Sequence, residues 1–276
     1  MSPIDHFAQG GITPILAYAM SSLGCMLGLM LSSRARLAGG RESAYWLIGA
    51  AVAIGGTGIW TMHFIAMMGF HVSGTVIRYD VPLTAASALL AIVVVGAGLF
   101  LVHHGRGRIG FLLGGGVLAG VGVAGMHYLG MAAMRMSAHV SYDPLVVTLS
   151  VLIAIAAATA ALWFAGRVTG AVRIGGAALL MGLAVSGMHY TGMLAMSVEL
   201  HHSPGPVSGA QGIDFLLPLL VGITVVTVGL LLAVMLSPSE RELRSEQSYL
   251  ARSEDDPRRK RSGGAPDVDL FGTPRG

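Results

Sequence analysis

The sequence predicts an all-α, polytopic membrane protein of seven transmembrane helices: one leading helix, then three repeated helical hairpins. Composition is the first reason. Of 276 residues, 54% are hydrophobic and only 11% charged, and the mean hydropathy is +0.71. A water-exposed surface on a chain this size needs far more charge. Second, seven apolar runs are long enough to cross about 30 Å of hydrocarbon at about 1.5 Å per residue. Third, one decapeptide recurs: GMHYTGMLAM at 187–196, GMHYLGMAAM at 125–134 and, more loosely, TMHFIAMMGF at 61–70. Its histidines, His63, His127 and His189, stand 64 and 62 positions apart, the length of about two membrane passes.

The first span is expected near 12–33, ending where Arg34 and Arg36 begin the charge. After Gly39-Gly40 the second, near 45–70, carries the first motif at its end. Tyr79-Asp80-Val81-Pro82 opens the third, near 82–102, and Tyr142-Asp143-Pro144 opens the fifth, near 144–165. Aspartate before a proline in the first turn is a helix-start signal, so both are read as caps. The fourth (109–134) and sixth (174–197) carry the other two motifs. Asp214 stands at the comparable place before the seventh, near 214–236. The motif helices are glycine-rich (Gly55, Gly56 and Gly58; Gly115, Gly116 and Gly120; Gly182 and Gly187), which suits close approach of membrane helices.

Orientation follows from the basic residues. One set of loops holds Arg34, Arg36, Arg41, Arg106, Arg108, Arg167 and Arg173, and the tail adds eight more; the opposite side has only Arg78 and Arg135. The crowded side is expected to be cytoplasmic, in an inner or plasma membrane, with the N-terminus and all three motifs outside. The net charge of +3 is thus explained by topology and calls for no nucleic acid. Residues 1–10 hold Asp5 and no Lys or Arg, unlike a cleavable signal. The expected organisation is a short external segment over 1–11, a membrane domain over 12–236, and a charged tail over 237–276. The tail's composition suits disorder, and it is too short for a catalytic domain. No catalytic group is recognised, and output is expected through a cytoplasmic signalling partner.

The motif carries the chemistry. On a helix, positions i, i+4 and i+7 share a face. His63 with Met67 and Phe70, His127 with Met131 and Met134, and His189 with Met193 and Met196 form three such stripes, and the i+3 residue is always small (Ala66, Gly130, Gly192). Histidine has no packing role in an apolar run, and intramembrane ionisable residues tend to mark function. Imidazole with thioether suits copper, especially Cu(I), and lacks the hard oxygens that magnesium or calcium needs. The expected ligands are His63, Met67, His127, Met131, His189 and Met193. Met62, Met126 and Met188 lie about 100° round the helix from those histidines and are read as packing residues or donors to a second ion, as are Met134 and Met196. His71, His139, His201 and His202 are read as solvated outer-side residues, and His103 and His104 as interfacial ones. Cys25 is the only cysteine, which leaves no internal disulfide and no cysteine cluster.

Met188-His189-Tyr190-Thr191 spells the signature of a known family, with Met126-His127-Tyr128-Leu129 and Met62-His63-Phe64-Ile65 as variants. Residues 10–236 resemble the MHYT domain, an integral membrane sensor of bacteria. The resemblance implies a copper site at these Met and His residues. It also implies sensing of a diatomic gas such as oxygen, carbon monoxide or nitric oxide. Many members carry cyclic di-GMP turnover or kinase domains. The first copy departs from the pattern at Phe64, Ile65 and Phe70, but keeps its histidine and its i+4 methionine.

Two other functions compete. Copper transport needs donors that continue inward, yet the inner halves of the motif helices are mainly Gly, Ala, Val and Leu, with Met181, Met20, Met26 and Met30 as the hints of a ladder. Haem held by two motif histidines is a lesser variant. A retinal protein is excluded, because the only lysine is Lys260 in the tail.

Overall fold

The computed structural model describes residues 4–5, 8–106, 108–200, 207–237 and 245. Contacts divide the chain into Met1–Leu236 and Ser237–Gly276. Most of the charged tail, with His201 and His202, lies outside the described residues. Among the described residues seven helices follow in order: α1 (Ile12–Leu37), α2 (Gly40–Met68), α3 (Val81–His104), α4 (Ile109–Ala132), α5 (Pro144–Arg167), α6 (Ala171–Leu194) and α7 (Gly212–Leu236). The first six are long and apolar enough to cross a membrane, and α7, 25 residues long, is apolar over Leu220–Leu236, the continuous stretch whose side chains the structure describes.

The helix starts obey local chemistry. The Leu83 amide donates to the Asp80 carboxylate at 3.1 Å. The Leu145 and Val146 amides donate to Asp143 at 2.8 and 3.3 Å. In each case a proline occupies the first turn, where its missing N–H costs nothing. Gly170 precedes α6 at φ 86°, a backbone angle that favours glycine. Asp214 differs: α7 already begins at Gly212, so this residue sits inside the helix rather than before it.

One feature escaped the sequence reading. Helix α2 is α-helical over Gly40–Ala51, a wider π-helix over Val52–Trp60, and α-helical again over Thr61–Met68. The π turns hold Gly55, Gly56 and Gly58, and here the backbones of neighbours come close. A Cβ at Gly24 of α1 would overlap the Gly58 backbone, and one at Gly55 would lie 2.7 Å from the Ala91 carbonyl oxygen of α3.

In space the helices form a closed ring. Helix α1 packs on α2 and α6, α3 on α2 and α4, and α5 on α4 and α6. The leading helix therefore completes the third pair, and α7 lies outside the ring against α1 and α2. Two polar ties hold α7 there: Thr57 and Thr227 share a hydroxyl hydrogen bond of 2.7 Å, and Arg34 donates to the Val234 carbonyl at 2.6 Å. The outward faces are large and apolar, with Val93, Leu152, Leu183 and Leu232 exposed, as lipid contact requires.

At the motif end, short strands knit the ring together. They are β1 (Ile4–Asp5), β2 (His71–Val72), β3 (Arg78–Tyr79), β4 (Met134–Arg135), β5 (Ala138–Tyr142), β6 (Met196–Leu200) and β7 (Ala210–Gln211). The pairs β1–β2, β3–β4 and β5–β6 are antiparallel and occupy equivalent places, with Asp5 opposite His71, Arg78 opposite Arg135 and Ser141 opposite Ser197. Each pair carries the same extra bond: the amides of Ala8, Asp80 and Asp143 donate to the carbonyls of Gly69, Ala133 and Ala195 at 3.0, 2.8 and 2.8 Å. The three accepting residues each stand six positions after a motif histidine. The Arg135 guanidinium, 2.5 Å from Asp80, holds that carboxyl below its ordinary value, and the Leu83 amide adds to the effect.

Candidate metal centre

The repeat sets all three histidines at one height. His63, His127 and His189 each fall five residues before the last residue of α2, α4 and α6, at Met68, Ala132 and Leu194. The ring then turns them to a common axis. Their side chains are 1%, 0% and 1% exposed, so the cluster is dry. The imidazoles meet through their Nδ1 atoms: His63 to His189 at 3.1 Å, His63 to His127 at 3.2 Å, and His127 to His189 at 3.3 Å. Ring centroids are 5.0, 5.0 and 5.1 Å apart, with planes crossed at 84°, 83° and 88°, so the rings stand like propeller blades. Phe64, Tyr128 and Tyr190 pack edge-on against the preceding histidine, at 4.9, 4.9 and 5.0 Å.

Motif-to-motif contact explains the small residue at i+3. A Cβ at Gly130 would lie 2.5 Å from the His63 Nε2, and a Cβ at Gly192 would overlap the His127 Nε2. Each of these imidazoles thus rests on the glycine of the next motif. The arrangement leaves a polar demand unmet. The Nε2 atoms of His63 and His127 are buried and have no hydrogen-bond partner. Three neutral imidazoles facing inward through Nδ1 direct lone pairs at one point, and a single shared proton serves only part of that set. A cation at the centre satisfies the three Nδ1 lone pairs and leaves the Nε2 atoms of His63 and His127 as they are.

The triangle fits a metal. Sides of 3.1, 3.2 and 3.3 Å place its centre about 1.85 Å from each nitrogen, close to the roughly 2.0 Å of an imidazole ligand. These three are the one group of three or more His, Cys, Asp or Glu among the described residues with ligand atoms placed to hold an ion.

The methionines divide. Met67, Met131 and Met193 are buried in the same core as the triad, about 6 Å further along their helices by axial rise. Met134 and Met196 do not continue the helical stripe, because α4 and α6 end at Ala132 and Leu194; both lie in strands, and Phe70 lies beyond the end of α2. Met62, Met126 and Met188 are buried, Met62 against Ala17 and Ala66. Met188 also lines an apolar cavity of about 40 Å³ on the ring axis, with Cys25 and Met181. His71 and His139 are exposed on strands and do not join the triad. At the other end His103 contacts the Ser43 hydroxyl at 3.0 Å, and His104 donates from Nδ1 to the Phe100 carbonyl at 2.8 Å.

Supporting serines were missed in the sequence. Trp60 donates to Ser87 at 2.9 Å, and the hydroxyls of Tyr128 and Ser150 share a bond of 2.7 Å. Ser87 and Ser150 each stand seven residues after the capping aspartate, Asp80 and Asp143. That shared offset was the available signal.

A ring of apolar helices with a buried three-histidine centre, built from one motif used three times, defines a membrane-embedded sensory repeat domain. The chain belongs to the MHYT family, described as a bacterial signalling protein N-terminal repeat, whose model matches residues 56–115, 120–177 and 182–245. It is 43% identical over 232 residues to the bifunctional diguanylate cyclase/cyclic di-GMP phosphodiesterase MucR of Pseudomonas aeruginosa, covering 82% of this chain and 33% of that protein. It is 36% identical over 211 residues to the cyclic di-GMP phosphodiesterase NbdA of the same organism, covering 72% and 26%. With the signaling protein YkoW of Bacillus subtilis it shares 34% identity over 189 residues, covering 64% and 23%. The chain therefore spans a third or less of the length of these relatives. No solved structure matches it.

Proposed function

We propose that the chain is a copper-binding sensor whose His63, His127 and His189 hold one ion near the outer face of the membrane. The observation that carries this reading is the convergence of three Nδ1 atoms within 3.1–3.3 Å in a dry core. Copper is preferred because the surrounding donors are soft: Met67, Met131 and Met193 supply thioethers one helical turn on from the histidines, on the same helix face. Bound copper would supply a centre that takes a diatomic gas or changes oxidation state. The chain's own residues hold three ligands rigid, keep water out and tie the motif end together through the three strand pairs. The basic residues crowd the opposite end, which supports an external triad and a cytoplasmic tail. Catalysis is proposed to reside in a partner that the ring instructs. The names of MucR and NbdA point to a cyclic di-GMP enzyme as that partner.

Copper transport is the second reading, favoured by Cys25, Met181 and Met188 around the axial cavity. The rest of that wall is Ile, Leu, Val and Ala, and beyond Leu99 and Leu162 the next cavity carries Arg36, Arg106 and Arg167. Guanidinium groups across an exit oppose the passage of a cation. The sensor reading predicts an absorption spectrum of the copper-loaded protein that changes with oxygen, carbon monoxide or nitric oxide and disappears in His127→Ala. A metal-loaded protein silent to all three gases and to oxidation sinks it.

A further inference from the structure

We propose that the cavity at the end of the ring opposite the histidine triad is a binding site for a phosphate group. The cavity measures about 410 Å³ and is lined from five helices and one loop: Ser32 and Arg36 of α1, Leu47 of α2, His103 of α3, Arg106, Leu112 of α4, and Arg167 of α5 among others. Among the described residues no carboxylate lines it. A neighbouring recess of about 650 Å³ shares His103 and Arg106 and adds His104 and Arg108, again without a described carboxylate. Collecting like charges in one concavity is unfavourable unless an anion joins them.

Two of the guanidinium groups are held in place. Arg36 donates to the Ala165 carbonyl, to the Val168 carbonyl at 2.6 Å and to the Ser33 hydroxyl at 3.2 Å, so it contributes fixed charge at the wall. Arg167 stacks over the Trp163 ring at 5.3 Å. Positioned guanidinium forks suit the tetrahedral oxygens of phosphate better than a lysine ammonium would. An independent observation points to a ligand. Ser32, another lining residue, is 2% exposed and its Oγ has no hydrogen-bond partner. A buried hydroxyl without a partner is unfavourable, and a phosphate oxygen is the acceptor that the surrounding charge selects. This site is separate from the metal centre and stands whether or not the triad holds copper.

The phosphate has two sources, an anionic lipid headgroup or a soluble phosphate compound, and one experiment separates them. The full chain is placed in nanodiscs of phosphatidylcholine alone and titrated with inorganic phosphate, using thermal unfolding, against potassium chloride at matched ionic strength. In parallel it is placed in nanodiscs containing phosphatidylglycerol and examined for retained lipid by native mass spectrometry. Saturable stabilisation by phosphate identifies a soluble ligand; retained phosphatidylglycerol identifies the lipid. Either signal must fall at least tenfold in Arg106→Gln/Arg167→Gln and measurably in Ser32→Ala. Absence of both signals overturns the proposal, as does a signal that survives the double substitution. Where the double variant fails to fold, Ser32→Ala decides, and an unchanged signal there overturns it.

Discussion

Substituting Gly130 by alanine tests the metal centre without touching a ligand. The added methyl carbon would stand 2.5 Å from the His63 Nε2, 3.1 Å from its Cδ2 and 3.4 Å from its Cε1. Carbon needs roughly 3.5 Å, so the ring must retreat by about 1 Å. Helix α4 cannot give instead, because the residue sits between buried His127 and Met131 in a packed core. A metal–nitrogen bond has no tolerance for that displacement, so Gly130→Ala removes His63 as an effective ligand. Losses of this indirect kind cost about 10- to 100-fold in metal affinity, and overpacking destabilises by about 1–3 kcal/mol. The assay is competition against a Cu(I) chelator under anaerobic conditions, with thermal unfolding in parallel. Gly114→Ala on the same helix is the control: nothing lies within 4 Å of its added Cβ, so affinity stays unchanged. Equal affinities for the two variants would refute the argument that the glycine seats the imidazole.

Other consequences are independent of that one. Asp143→Ala removes the acceptor of two helix-start amides, and stability should fall by about 1 kcal/mol in thermal unfolding while metal affinity holds. Asp80 has a carboxyl held below its ordinary value by Arg135, so its stabilising contribution is full above about pH 4 and vanishes as pH falls through the depressed value. An acid titration of wild type against Asp80→Asn should therefore diverge above that window and converge below it. Proteoliposomes containing the unmutated protein should show no saturable copper flux; robust flux abolished by His189→Ala would favour transport.

Much of the architecture is legible because lipid imposes a simple pattern. Apolar length marked the helices, and Asp-Pro marked two of their starts. The histidine triad was legible for the same reason, since a residue with no packing role recurred at one phase on three helices. What escaped depends on relations that no local pattern encodes. The π turns of Val52–Trp60 coincide with the close approach of α1 and α3 to the glycines of α2. The leading helix joins the ring because α6 needs a neighbour that α7 does not supply. Spacing puts Met134 and Met196 on helical faces, but the helices stop two residues short of them, where the chain turns into strands. The inward Nδ1 atoms follow from side-chain rotation set by Gly130 and Gly192, which spacing alone does not reveal.

The most direct test is X-ray absorption at the copper edge of the purified protein, with metal content measured on the same sample. The account predicts one copper per chain, a first shell dominated by imidazole nitrogen at about 2.0 Å, and loss of the ion in His63→Ala, His127→Ala and His189→Ala alike. A protein that binds no copper, or that keeps it with an unaltered spectrum after any one of those substitutions, would contradict the shared three-histidine site.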